Sequence, residues 1–83
     1  MRHEIGCEYF KPVGVPLREL EEVVLEREEV EALKLSKVDE LDQKVAAESM
    51  GISQATFARI MAKANRKVAE AICEGKAIKL LKE

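Results

Sequence analysis

A polar run followed by regularly spaced basic residues is the part of the sequence best suited to chemistry. The basic residues stand at positions i, i+4, i+7 and i+8, which share one face of an α-helix and suit contacts with phosphate groups. In the polar run, Gln54 can pair with adenine through two hydrogen bonds, and the methyl groups of Ala55 and Thr56 can contact thymine. The candidate DNA-binding residues are Ser53, Gln54, Ala55, Thr56, Arg59, Lys63, Arg66 and Lys67.

These side chains need a protruding helix, and the sequence around Gly51 predicts one. The segment VAAESMGISQATFARIM, residues 45–61, has helical apolar spacing on both sides of the glycine. Glycine takes the left-handed conformation that ends a helix without steric cost, and Ser53 is then the expected N-cap of a second helix, as Asp42 is of the first. With the small Ala47 where the two helices touch, the pattern predicts a helix-turn-helix over residues 43–62. A helix held outward in this way fits the major groove of DNA.

The second of these helices is predicted to run from Gln54 to Glu74, where Gly75 ends it. Apolar residues three or four positions apart give it one continuous stripe for burial. The stripe consists of Phe57, Ile60, Ala64, Val68 and Ile72. A further helix is predicted over residues 27–37 from the spacing of Val30 and Leu33.

The remaining segments carry weaker signals. Pro12 and Pro16 exclude a regular helix near the start, so residues 1–16 are predicted to form an extended arm that packs on the body through Tyr9 and Phe10. Residues 23–25, VVL, fit a strand or a loop, and residues 76–81, KAIKLL, fit a strand or a helix. We therefore expect an all-α domain over residues 17–83, built around the helix-turn-helix with its long second helix and preceded by the arm.

Length and charge limit the kinds of protein to consider. The 83 residues make one domain, and 47% hydrophobic with 36% charged residues is typical of a folded soluble protein. Residues 1–42 have 6 basic and 12 acidic residues, a net charge of −6, whereas residues 43–83 have 8 and 4, a net charge of +4. This asymmetry predicts an anionic partner for the second half, with an ordinary surface of uneven charge as the alternative. No apolar run could cross a membrane, no signal peptide is visible and only two cysteines are present, so we expect a cytoplasmic protein.

Two other groups of residues have functional alternatives. His3 and Cys7 are spaced like metal ligands, but a closed zinc site needs four ligands and only Cys73 remains. We therefore expect no metal, and a buried apolar role for Cys73. An acidic cluster that could serve acid–base catalysis consists of Glu28, Glu29 and Glu31. Because no nucleophile and base accompany the cluster, it fits a solvated helix start, where negative charge is favourable, and we expect neither an enzyme nor a cofactor.

The same residues resemble known families. The stretch EREEVEALKLSKVDELDQKVAAESMGISQATFARIMAKANRKVAEAI resembles the DNA-binding fourth region of bacterial sigma factors. Nearly the whole chain resembles a small prokaryotic family of predicted DNA-binding proteins, known as domain of unknown function 134, through the segments YFKPVGVPLRELEEVVL, EALKL, AAESMGIS, TFARI and EGKAIK. The resemblance implies a role like that of a transcription regulator. It also implies that the recognition helix includes Ser53, Gln54, Thr56 and Arg59.

The sequence therefore predicts a sequence-specific DNA-binding protein that regulates transcription by inserting the helix from Gln54 into the major groove. Its expected partners are double-stranded DNA and a second copy of the chain, because one helix reads too few base pairs for useful specificity. The arm with Tyr9 and Phe10, or the tail AIKLL, could form the dimer interface. No membrane or small-molecule partner is expected. The alternative is a helix-turn-helix that contacts only other proteins, with the acidic first half docked on a basic partner.

Overall fold

The computed structural model describes residues 7–81 and combines helices with a small sheet. Its strands are β1 (Cys7–Phe10), β2 (Glu22–Leu25) and β3 (Ala77–Leu81). Its helices are α1 (Arg27–Leu33), α2 (Gln43–Met50) and α3 (Gln54–Glu74). A single 3-10 turn at Leu17–Glu19 precedes β2, and α1 continues into a π-helical turn at Lys34–Val38.

The sheet places the last strand between the other two. β3 pairs antiparallel with β1, with Phe10 opposite Ile78, and parallel with β2, with Leu25 opposite Leu80. A parallel pair needs a crossover connection, and α1, α2 and α3 together form it. The protein is therefore a mixed α/β fold, and the expectation of an all-α domain is wrong.

The reason for this error is that strands of four or five residues carry little periodicity. The β2 segment fits a strand or a loop and the β3 segment fits a strand or a helix, because periodicity alone does not decide the structure of such short apolar runs. Their pairing joins positions such as Val23 and Ile78, which are far apart in the sequence. The structure shows residues 22–25 and 77–81 as strands, and residues 7–10 of the predicted arm form β1, which pairs with β3.

The helix boundaries follow from local capping, as predicted. The Asp42 carboxylate accepts the Val45 amide at 2.9 Å, and Ser53 Oγ accepts the Thr56 amide at 3.1 Å, so both predicted N-caps are confirmed. Gly51 and Gly75 end α2 and α3 with φ angles of 73° and 69°. Only glycine takes this conformation without a Cβ penalty, which makes both helix ends sharp.

The core of the helix-turn-helix is built from small and large side chains in contact. Alanines allow α1 and α2 to approach α3 closely, and larger residues of α3 fill the remaining space. The buried cluster consists of Ala32, Ala46, Ala47, Phe57 and Met61. Half-buried Leu33, Leu35, Leu41, Met50, Ile52 and Ile60 surround it.

The buried stripe of α3 differs from the prediction at its end. Phe57, Ala64 and Ala71 are buried at intervals of seven residues, whereas Ile72 is 72% exposed. A seven-residue interval keeps side chains on nearly the same side of a helix, and the predicted step from Val68 to Ile72 leaves that side. The prediction that Ile72 belongs to the buried stripe is therefore wrong, and Ala71 takes its place.

Candidate nucleic-acid interface

The first two turns of α3 present polar and basic side chains away from the core. Ser53, Gln54 and Ala55 are exposed, and so is Arg59 one turn further on. Thr56 is half-buried, and the inward positions Phe57 and Met61 pack against α1 and α2. The helix-turn-helix therefore holds the predicted recognition residues at an exposed helix end.

Three of these side chains are joined by hydrogen bonds. Ser53 Oγ lies 3.0 Å from Thr56 Oγ1, and Arg59 Nη2 lies 3.4 Å from the same oxygen. Because a guanidinium group only donates, Thr56 Oγ1 accepts from Arg59. The Thr56 hydroxyl therefore accepts a hydrogen bond from Arg59, a contact that the sequence analysis does not predict.

The cations further along α3 differ in their availability. Within residues 7–81, no carboxylate lies within ion-pair distance of Lys63, which is exposed. Arg66 Nη1 lies 3.4 Å from Glu70 Oε1, and its side chain is largely exposed. Exposed pairs of this kind contribute about 0–1 kcal/mol, so a phosphate could replace Glu70 as the partner of Arg66.

Lys67 lies apart from this exposed face. Its Nζ atom is 2.8 Å from Glu29 Oε1 and 2.7 Å from the Val24 carbonyl oxygen, and its side chain is only 19% exposed. The ammonium group therefore joins α3 to the start of α1 and the end of β2. Six of the eight predicted residues are exposed, namely Ser53, Gln54, Ala55, Arg59, Lys63 and Arg66. Thr56 is half-buried, and Lys67 lies inside a partly buried network.

Glu29 corrects the interpretation of the acidic cluster as a solvated helix start. Glu28 and Glu31 are exposed as expected, but Glu29 is 3% exposed. Its Oε1 atom accepts the Glu26 amide at 2.9 Å as part of a capping box, in addition to the Lys67 ammonium. The signal for this role was a glutamate at the third position of a helix, where a side chain can reach back to the N-cap amide.

A second charged network lies at the C-terminal end of α3. Lys76 Nζ lies 2.6 Å from Glu70 Oε2, and the carboxylates of Glu21 and Glu74 lie 3.2 and 3.3 Å from it. The hydrogen bond with Glu70 raises the pKa of Lys76, and the hydrogen bond with Lys76 lowers the pKa of Glu70. This network stabilises the junction between α3 and β3, far from the exposed N-terminal turns.

Other predictions from the sequence concern a metal site, the burial of Cys73 and membrane crossing. His3 lies outside the described residues, as does the side chain of Cys7. Between residues 7 and 81, no cluster of histidine, cysteine or acidic side chains could hold a metal ion. Cys73 is exposed, so its expected burial is wrong. In the same part of the chain, no helix combines the length and apolar character that crossing a bilayer requires.

The described residues form a helix-turn-helix whose second helix begins at the Ser53 cap and presents polar and basic side chains to solvent. This helix-turn-helix is joined to a three-stranded sheet. The chain belongs to the family described as "Protein of unknown function DUF134", whose model matches residues 3–82. This finding confirms the family resemblance seen in the sequence. It leaves DNA binding and the likeness to sigma factors as proposals.

Relatives of the chain carry the name UPF0251 protein. The relative from Moorella thermoacetica is 53% identical over 75 residues, which is 90% of this chain and 50% of the relative. The relative from Desulforudis audaxviator is 54% identical over 74 residues, 89% of this chain and 48% of the relative. The relative from Shewanella halifaxensis is 50% identical over 76 residues, 92% of this chain and 79% of the relative. The chain thus spans about half the length of the first two relatives, and no solved structure matches it.

Proposed function

We propose that the chain is a sequence-specific DNA-binding protein that regulates transcription. In this proposal the N-terminal turns of α3 enter the major groove, which is wide enough for one helix. The observation that carries the proposal is the exposed face of α3, which begins at the Ser53 cap and continues through Arg59 to Lys63. Work on chromosomal DNA in a prokaryote would place the protein in the cytoplasm.

The chemistry of this face divides along the helix. Gln54 and Ala55 lie in the first turn, where side chains of a recognition helix meet base edges. Lys63 and Arg66 lie two and three turns further, where the helix would leave the groove beside the phosphates. The free amides of the first helical turn add attraction for a phosphate. We therefore assign base contacts to the beginning of α3 and phosphate contacts to its middle.

A second copy of the chain completes the proposal, since one recognition helix reads too few base pairs. The two candidate interfaces were the arm and the tail. β3, the tail strand, is paired on both of its edges, so its backbone cannot join another sheet. β1 is an edge strand in the described sheet, and Tyr9 and Phe10 on it are exposed. We therefore place the dimer contact on the arm.

Salt dependence tests DNA binding directly. A labelled duplex of random sequence is titrated with the parent chain and with Lys63→Ala at two salt concentrations. Each phosphate contact contributes close to one unit to the slope of log K against log salt, so Lys63→Ala should lower the slope by about one.

Arg18→Ala is the matched control for the loss of one positive charge. Arg18 is exposed in the 3-10 turn, three residues before Glu21, which contacts Lys76 at the end of α3 opposite to the proposed DNA face. This variant should keep the parent slope. An affinity that does not respond to salt would overturn the proposal and favour the module that contacts only proteins.

A further inference from the structure

We propose that Arg59 reads a guanine base and that Thr56 positions it for this contact. The inference rests on the DNA-binding function proposed above and decides between two roles that charge alone leaves open for Arg59. A cation on a recognition helix can contact a phosphate or a base edge. The hydrogen bonds of the described residues separate the two roles.

The contact with Thr56 directs the Arg59 side chain toward the beginning of α3. Thr56 is three residues before Arg59, and its Oγ1 atom accepts from Arg59 Nη2 at 3.4 Å. Thr56 is itself held by Ser53, whose Oγ atom caps the helix and lies 3.0 Å from Thr56 Oγ1. The guanidinium group is therefore drawn back over the turn that contains Gln54 and Ala55, the part of α3 that would lie deepest in the groove.

The other exposed cations of α3 have no such direction. Arg66 is drawn toward the end of the helix by Glu70, four residues after it. Lys63 has no hydrogen-bond partner among residues 7–81. Both fit a phosphate, which accepts a cation from many directions, whereas a base edge requires a fixed donor geometry.

The chemistry of the guanidinium group points to guanine. One of the two Nη2 hydrogens is directed at Thr56. The other remains free to donate, and it points parallel either to an N–H of Nη1 or to the N–H of Nε. In both cases two parallel N–H donors are left. This pair matches the O6 and N7 acceptors of guanine in the major groove, whereas adenine presents a donor in place of O6. A lysine at this position would keep the charge and lose the paired donors.

The test begins with selection of duplexes from a random library by the parent chain. The enriched site should contain a guanine, and exchange of that base pair for adenine–thymine should lower parent affinity by about 5- to 150-fold. For Arg59→Lys the same exchange should have little effect, while its salt slope stays that of the parent. Since Arg59 is exposed, this variant should fold normally.

Two variants of Thr56 test the positioning role. Thr56→Val keeps the branched shape but loses the acceptor, and it should reduce the guanine preference by about 2- to 12-fold. Thr56→Ser retains a hydroxyl and should restore the preference. Circular dichroism shows whether both variants remain folded. If Thr56→Val is unfolded, Arg59→Lys still tests the contact between Arg59 and guanine.

The outcomes separate this inference from the function on which it rests. If Arg59→Lys keeps the full guanine preference, or Arg59→Ala weakens all duplexes equally, the guanine contact is overturned and DNA binding stands. If Thr56→Val keeps the preference, the positioning role is overturned. If the parent enriches no sequence, sequence-specific binding fails and the inference fails with it.

Discussion

Replacing Lys67 with methionine removes a cation that contacts the buried Glu29 carboxylate. The carboxylate side chain is 4% exposed, and it would keep one hydrogen bond, from the Glu26 amide. Breaking a buried pair by removing one partner costs about 3–5 kcal/mol, because the remaining charge stays out of water. Lys67 is 19% exposed, so water can enter the vacated space, and we expect a loss of about 3 kcal/mol for Lys67→Met.

The size of this loss can be compared with the stability of the whole domain. A chain of 83 residues has a free energy of unfolding of roughly 4–12 kcal/mol, at about 0.05–0.15 kcal/mol per residue. Chemical denaturation followed by circular dichroism at neutral pH should therefore show a large shift of the midpoint for Lys67→Met. Glu29→Gln should cost less, about 1–2 kcal/mol, because the amide keeps an acceptor for Glu26 and Lys67 can reach water.

Two comparisons make the experiment decisive. Arg66→Met removes a neighbouring cation whose pair with Glu70 is exposed, and it should cost less than about 1 kcal/mol. The double variant Glu29→Gln with Lys67→Met should cost less than the sum of the single losses, by about 0.5–3 kcal/mol, because the two groups interact. A Lys67→Met variant as stable as Arg66→Met would refute the argument that this pair joins α3 to α1 and β2.

Three further predictions concern the turn, the dimer and the charged network at the end of α3. Gly51→Val should cost more than about 1 kcal/mol in the same unfolding assay; an added Cβ meets no atom within 4 Å, so the cost is conformational, and an unchanged stability would contradict the left-handed turn. Sedimentation at micromolar concentration should give twice the 9.3 kDa chain mass, whereas a monomer both free and on DNA would refute the dimer. The pKa of Glu70 is lowered by Lys76, so its contribution is full above the ordinary value of 4.5 and is lost as the pH falls through the folded value. The pKa of Lys76 is raised, so its contribution is full below its ordinary value of 10.5 and is lost as the pH rises through the folded value. The stability difference between the parent and Lys76→Met should therefore be largest near neutral pH and shrink as the pH falls below 4.5; a difference independent of pH would contradict the Glu70 contact.

The helices could be predicted because their signals are local. Asp42 and Ser53 cap helices through atoms within three residues of their own position, and Gly51 and Gly75 end helices through their own backbone angles. Each signal can therefore be recognised in a short window of sequence. These features define the helix-turn-helix and the outward position of most candidate residues.

The sheet and the role of Lys67 could not be predicted because both depend on distant segments. β3 becomes a strand only by pairing with residues 7–10 and 22–25. Lys67 lies at the border between the buried and exposed sides of α3. Its burial is decided by Glu29 and by the Val24 carbonyl, which are separated from it by 38 and 43 residues. A helical pattern alone places such a border residue on either side.

The central claim, that the first turn of α3 reads base edges, is tested most directly by the specificity of Gln54→Ala. The affinities of this variant, of Lys63→Ala and of the parent are measured on the selected duplex and on a scrambled one. Gln54→Ala should lose about 1–3 kcal/mol on the selected duplex and almost none on the scrambled one, whereas Lys63→Ala should lose the same on both. An equal loss on both duplexes for Gln54→Ala would contradict base reading by this helix.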